Sequence, residues 1–187
     1  IDLTYFCCLS SCSVLGAVEG RFATEETACQ PRHHYEKTKW QAEQLVFQAG
    51  LDCQTVILRP TQIFDHSKTQ AIRFLLTPTF LNRLKVILKG RESAQIVYAH
   101  NVAAAALFYL DAPEKKKGCV DCYIVSQDED PNNTVGQLST FLHGTRLPSA
   151  PLFIPHCLRR LRRTSSNRGD ICYSAKKLLA SGFVFSY

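Results

Sequence analysis

The sequence predicts an α/β protein built on a parallel sheet, and two observations lead there. Leu3 to Leu9 (LTYFCCL) is a continuously apolar run of strand length, and Cys53 to Leu58 (CQTVIL) is a second, predominantly apolar one. Strands covered on both faces read this way, whereas half-buried strands alternate. Segments of helical period then alternate with strand-like runs to the end of the chain, without internal repeats or a low-complexity linker. At 187 residues and 45% hydrophobic, the chain is long enough for one ordinary core.

Taken in order, the first strand spans Leu3 to Leu9 and is fully buried; it ends in the hydroxyl-rich stretch Ser10-Ser11-Cys12-Ser13-Val14-Leu15-Gly16. Chemistry in α/β sheets collects just beyond the carboxyl ends of strands, so these hydroxyls are well placed. Residues 17–34 are polar and irregular, long enough for a functional loop. A helix follows from about His34 to Ala49, with Ala42, Leu45, Val46 and Ala49 as its buried face and Gly50 closing it. Cys53 to Leu58 is the next buried strand, ended by Arg59-Pro60.

Beyond it the pattern predicts a helix over Thr69 to Leu76, another over Pro78 to Leu84, and a short strand at Lys85 to Leu88. Gln95 to Ala99 is strand-like, and Asn101 caps the helix VAAAALFYL. Cys122 to Ser126 is a further strand, Thr134 begins a helix to His143, and prolines 148, 151 and 155 interrupt the stretch before a basic run. Ser174 caps a last helix, AKKLLAS, closed by Gly182.

Composition narrows the function classes. The net charge is +6, concentrated in Lys115 to Lys117 and in Arg159 to Arg163. Aromatic residues do not interleave with these cations, so nucleic-acid binding is not expected. No apolar run is long enough to span a bilayer. The nine cysteines are odd in number, irregularly spaced and partly in apolar runs, which fits free thiols in a reducing, cytoplasmic setting. Cys119 and Cys122 have C-x-x-C spacing but no second pair, and the histidines form no ligand pattern; no metal site is expected. Ile1 opens the chain and methionine is absent, so the sequence reads as beginning partway through a gene product.

The chemistry-bearing pattern is Tyr35-Glu36-Lys37-Thr38-Lys39 at the start of the first long helix. Positions i and i+4 share a helix face. A lysine ammonium near a phenol stabilises the phenolate and brings its pKa down from about 10 toward neutrality, where a phenol exchanges protons usefully. The plain alternative is a surface tyrosine and lysine on an amphipathic helix.

Order and spacing of the motifs decide between these. A strand ending SSCSVLG, YEKTK in a helix continuing QAEQ, a strand ending LRPTQIF, then QIVYAHNVAAAALFYL, YIVS and YSAKKLLASGF together resemble the extended short-chain dehydrogenase/reductase family. That family includes nucleotide-sugar epimerases and dehydratases, dihydroflavonol reductases and 3β-hydroxysteroid dehydrogenases. The resemblance implies the C-terminal part of a Rossmann-type doubly wound parallel sheet plus a smaller α/β substrate-binding region. Residues 1–65 would be the second half of the dinucleotide-binding domain, and 66–187 mainly substrate-binding, with 95–111 returning to the core. The family's glycine-rich dinucleotide loop has no counterpart in the sequence, so this chain would be N-terminally truncated and on its own a weak binder of cofactor.

By the same resemblance Tyr35 is the catalytic acid/base, Lys39 holds the nicotinamide ribose of NAD or NADP and depresses the tyrosine pKa, and Ser11 hydrogen-bonds the substrate oxygen. Ser10, Pro60 and Thr61 line the cofactor, and Ser13 and Gln62 face the substrate. The implied function is hydride transfer on an apolar alcohol or ketone. Alternatives are a nucleotide-sugar epimerase or dehydratase, disfavoured because Ala94 stands where an arginine would hold a diphosphate, and a non-catalytic scaffold of the same fold. The small-molecule substrate would be accompanied by a homodimer formed through the tyrosine helix. A membrane-surface contact through PLFIPHCLRRLRR is weighed against a basic surface helix packed by Leu152, Phe153 and Leu158.

Overall fold

In the computed structural model, residues 3–65, 73–110, 118–161 and 169–186 are described. The chain runs β1 (Tyr5–Leu9), a 3-10 turn (Cys12–Leu15), β2 (Phe22–Ala23), α1 (His34–Gln48), β3 (Gln54–Pro60), β4 (Gln62–Phe64), α2 (Arg73–Leu76) and α3 (Phe80–Lys89). It continues β5 (Ile96–Tyr98), α4 (Ala99–Leu110), β6 (Val120–Val125), α5 (Val135–His143), α6 (Phe153–Leu161), β7 (Cys172–Tyr173) and α7 (Lys176–Ala180).

β1, β3 and β6 form one parallel sheet with β3 in the middle. Cys7 lies opposite Val56, and Leu58 opposite Tyr123. Every residue of β3 is buried, as its unbroken pattern predicts. β1 differs from expectation: Tyr5 to Cys8 are half-buried and Leu9 is exposed. It is an edge strand of this sheet among the described residues, so its side chains have cover from one side only.

Alternation along β3 sends Val56 and Leu58 into a core shared with Val97, Val102, Ala105, Tyr109 and Leu178. There the Tyr109 and Tyr123 rings stack with centroids 4.6 Å apart. A second core gathers Val14, Leu15, Ile124, Ile171 and Tyr173. A third, smaller one joins Leu75, Val86 and Val135 from α2, α3 and α5.

Several local expectations are corrected. The buried residue of α1 is Glu43, while Leu45 is 67% exposed and Ala49 is exposed. Glu43 pairs with Arg59 of β3 at 2.6 Å, both side chains out of solvent, so a buried ion pair, together with Trp40 packed on the second core, fastens this helix to the sheet. Lys85 to Leu88 is not a strand: α3 starts behind the Thr79 cap, whose hydroxyl accepts from Asn82 N–H at 3.3 Å, and runs through Lys89 with Val86 buried beside Leu75 and Val135. Asn101 lies inside α4, where its amide donates to Gln127 and its oxygen accepts from Ser186 N–H. α7 begins at Lys176, whose N–H donates to the Ser174 hydroxyl.

The loop 17–34 contains β2, which pairs in parallel with β7; so short a strand exists only because its partner, far along the chain, supplies the ladder. The basic run forms α6, with Phe153 and Leu161 exposed. Arg162 and Arg163, the lysine run 115–117 and the first half of the helix expected over Thr69 to Leu76 lie outside the described residues, and its second half is α2. All nine cysteines are free thiols. Among the described residues no helix is long and apolar enough to cross a membrane, and no group of three acidic, histidine or cysteine side chains has metal-binding geometry.

Candidate active site

A cavity of about 440 Å³ opens beyond the carboxyl ends of β1 and β3. The two strands deliver its walls side by side: Ser10 N–H donates to Leu58 C=O at 2.8 Å, and Thr61 N–H to Val125 C=O at 3.1 Å. Ser10, Ser11 and Ser13 line it from the first strand's end, and Pro60, Thr61 and Gln62 from the third's. Tyr35 and Lys39, one turn apart on α1, complete it. All the residues singled out from the sequence therefore border one space.

The turn after β1 is tightly specified. Ser11 caps the 3-10 turn, and its Oγ accepts from Ser13 N–H at 3.2 Å and from the Ser13 hydroxyl at 3.0 Å. With both bonds accepted, the Ser11 hydroxyl hydrogen is the group left to donate. Cys12 turns inward, its thiol donating to Arg59 C=O at 3.0 Å. Burial pushes that thiol well above its usual pKa, so it is a packing residue and not a nucleophile. Gly16 ends the turn at φ 61°, and a Cβ there would lie 1.7 Å from Gln30 C=O. No other residue fits this approach.

The start of α1 is held by Glu36, whose carboxylate accepts from Arg32 N–H at 2.6 Å and His33 N–H at 3.1 Å. Burial alone would raise the Glu36 pKa, but these two N–H bonds outweigh it and lower it. Tyr35 is 57% exposed on the cavity side of this first turn. Lys39 Nζ donates to Leu9 C=O at 2.8 Å and stands 6.0 Å from the centre of the Tyr35 ring. The lysine is thus pinned between the end of β1 and the tyrosine, with two of its three N–H groups still to place.

The Ser10 and Thr61 hydroxyls are 4% and 8% exposed by residue and meet no hydrogen-bond partner among the described residues. A buried hydroxyl without a partner costs about 1–3 kcal/mol. Two of them bordering one cavity fit a polar guest such as a nicotinamide nucleotide. The sequence reading missed Gln95 and Tyr173, which also line the cavity. Gln95, at φ 52°, donates its amide to Ile171 C=O at 3.0 Å and so ties β5 to the approach of β7. Tyr173 reaches the site only through the β2–β7 pairing, for which the local sequence carries no signal.

The parallel α/β sheet, with a serine-rich turn, a tyrosine and a lysine beyond its carboxyl edge, is a Rossmann-type arrangement, and solved structures agree on the fold. A short-chain dehydrogenase/reductase superfamily protein from Agrobacterium tumefaciens with bound NAD matches at a TM-score of 0.60 and 18% identity, over 99% of this chain and 63% of that one. MoeE5 in complex with UDP-glucose and NAD matches at 0.62 and 18%, over 100% and 61%. UDP-glucuronic acid 4-epimerase from Bacillus cereus in complex with NAD matches at 0.62 and 15%, over 96% and 55%. The chain belongs to the 3-beta hydroxysteroid dehydrogenase/isomerase family, whose model matches residues 2–145. It spans about three fifths of the length of the solved structures it resembles. No curated protein matches it significantly in sequence.

Proposed function

We propose that this chain carries the proton-transfer and substrate-binding part of an NAD(P)-dependent hydride transfer between an alcohol and a ketone. The observation that carries this reading is the convergence of Ser11, Tyr35 and Lys39 on one cavity also bordered by two buried hydroxyls without a partner among the described residues.

The nicotinamide, when bound, supplies or accepts the hydride. In the reducing direction the Tyr35 hydroxyl gives its proton to the substrate oxygen; in the oxidising direction the phenolate takes it back. Lys39, 6.0 Å from the centre of the Tyr35 ring, would offer its remaining N–H groups to ribose hydroxyls, while its bond to Leu9 C=O fixes it there. Ser11 directs its hydrogen at the substrate oxygen, because Ser13 occupies its acceptor side. Ser10, Pro60 and Thr61 hold the nicotinamide end, and Gln62 faces the substrate. The NAD found with the structural relatives supports NAD over NADP.

A nucleotide-sugar substrate is the alternative, favoured by the UDP-sugar complex among those relatives. Against it, Arg159 is engaged by Glu92, with both carboxylate oxygens 2.6 Å from Nη2, and Ala94 adds no charge. Pairing for reaction along α1 into a homodimer is consistent with the exposure of Leu45 and Phe47.

NADH oxidation in the presence of a panel of apolar ketones tests the assignment. Tyr35→Phe is expected to lower kcat by about 10²–10⁴-fold while NADH binding is unchanged. Turnover of the Tyr35→Phe protein at the wild-type rate would remove Tyr35 from the chemistry.

A further inference from the structure

A cavity of about 220 Å³ lies where α2, α3 and α5 meet, and it shares no lining residue with the site at Tyr35. Helix spacing builds it. Asn82 and Val86 on α3 stand four residues apart, as do Ser139 and His143 on α5, so each helix turns one such pair toward the same space. Phe74 of α2 and Leu147 close the apolar side, continuous with the third core around Leu75 and Val86. The volume falls below the roughly 300–1,000 Å³ of pockets for drug-sized ligands. A fused ring system is too large for it; a short unbranched chain fits.

The polar groups of this cavity divide into two sets. Three are engaged with backbone carbonyls: Asn82 Nδ2 donates to Thr77 C=O at 2.8 Å, His143 Nε2 to Leu75 C=O at 2.6 Å, and Thr145 Oγ1 to His143 C=O at 3.5 Å. Two are not. Ser139 is 4% exposed, and no hydrogen bond engages its hydroxyl among the described residues. Such a hydroxyl is unfavourably placed until a ligand accepts from it. Arg83, at the mouth, forms no ion pair among the described residues. No carboxylate among the described residues borders the cavity. The positive end of α3 acts in the same sense, since Asn82 and Arg83 belong to its first turn.

We infer that this cavity binds a small anion with a short apolar chain, of the class of short aliphatic carboxylates. The carboxylate accepts from the Arg83 guanidinium and the Ser139 hydroxyl, and the chain lies against Phe74, Val86 and Leu147. No group of the Tyr35 site takes part, so the inference stands apart from the proposed hydride transfer.

Saturation-transfer difference NMR with hexanoate tests it. Saturable binding is expected, weakened about tenfold by Arg83→Gln, which removes a charge-assisted bond, and about three- to tenfold by Ser139→Ala. Lys85→Gln, on the same helix but outside the cavity lining, is expected to leave the affinity unchanged, as is Tyr35→Phe. Hexanol, with the chain but no charge, and acetate, with the charge but a minimal chain, are each expected to bind at least about tenfold more weakly. Arg83 and Lys85 are exposed, so their replacement leaves the fold intact, and circular dichroism verifies Ser139→Ala. Absence of saturation, equal affinity for hexanol or acetate, wild-type affinity in either cavity variant, or an equal loss in Lys85→Gln would each overturn the inference.

Discussion

Asp128 lies where the loop after β6 meets β7. Its Oδ2 accepts from Tyr173 N–H at 3.1 Å, and its Oδ1 is buried. Burial pushes its carboxyl up to about 6, only partly opposed by the Tyr173 N–H. The folded state therefore holds this proton where the unfolded chain, near 3.9, has released it. Stability from this group is present below about pH 4, falls as pH rises to about 6, and changes no further above. Thermal unfolding across this range should show the wild-type protein losing stability relative to Asp128→Asn as pH rises; a difference independent of pH would contradict the assignment. Thiol chemistry at this scale is equally defined. Cys119 and Cys157 are exposed, whereas Cys12 and Cys53 are buried. A thiol reagent should label the first two in the native state and reach the others only on unfolding; labelling of Cys12 at the rate of Cys157 would refute this packing. Tyr35, Lys39 and Ser11 were legible as candidates because their spacing is local. Asp128 was not, because its environment is made by β7.

At the scale of elements, α1 carries two of the candidate catalytic residues and is held by a buried ion pair. Arg59 donates to Glu43 through Nε at 3.0 Å and Nη2 at 2.6 Å. Burial alone would lower the Arg59 pKa, but the bond to Glu43 raises it. Removing one partner leaves the other charge buried, which costs about 3–5 kcal/mol. Chemical denaturation of Glu43→Ala should show a loss of that order, and Leu45→Ala, at an exposed position, a loss under about 0.5 kcal/mol. Equal effects would mean that the apolar face, not the ion pair, fastens the helix. The periodicity of α1 predicted its existence and ends, yet misassigned its buried face. A helix that buries a carboxylate cannot be recognised from its own sequence, since the compensating guanidinium is on β3.

Across the whole molecule, the apolar contacts fall into separate cores of unequal size. The sheet, α4 and α7 share the largest, while α2, α3 and α5 meet around Leu75, Val86 and Val135 alone. Local opening follows the smaller store of buried apolar contact. Amide hydrogen exchange should therefore release α3 and α5 before β3, whose residues are all buried. Simultaneous exchange would show a single cooperative unit. The same small core reaches a cavity of about 930 Å³ lined by Phe64, Tyr98 and Phe141, since Leu138 packs on the core and also borders that space.

The sequence alone determined the parallel α/β class, because strands covered on both faces need unbroken apolar runs, and it marked Tyr35 with Lys39 and the serines after the first strand, because helix spacing and strand ends are local properties; Pro60, Thr61 and Gln62 entered through the family resemblance. It also carried the family resemblance in the order of its motifs, which the family match supports. Only the tertiary structure decided what depends on partners distant in the chain: the edge position of β1, the pairing of β2 with β7, and the burial of Glu43 against Arg59. It likewise joined Gln95 and Tyr173 to the site and set a second, aromatic cavity beside the first. Composition and periodicity record which face of an element is apolar, but the free energy of a buried charge, a short strand or a cavity resides in groups that the chain brings together only on folding.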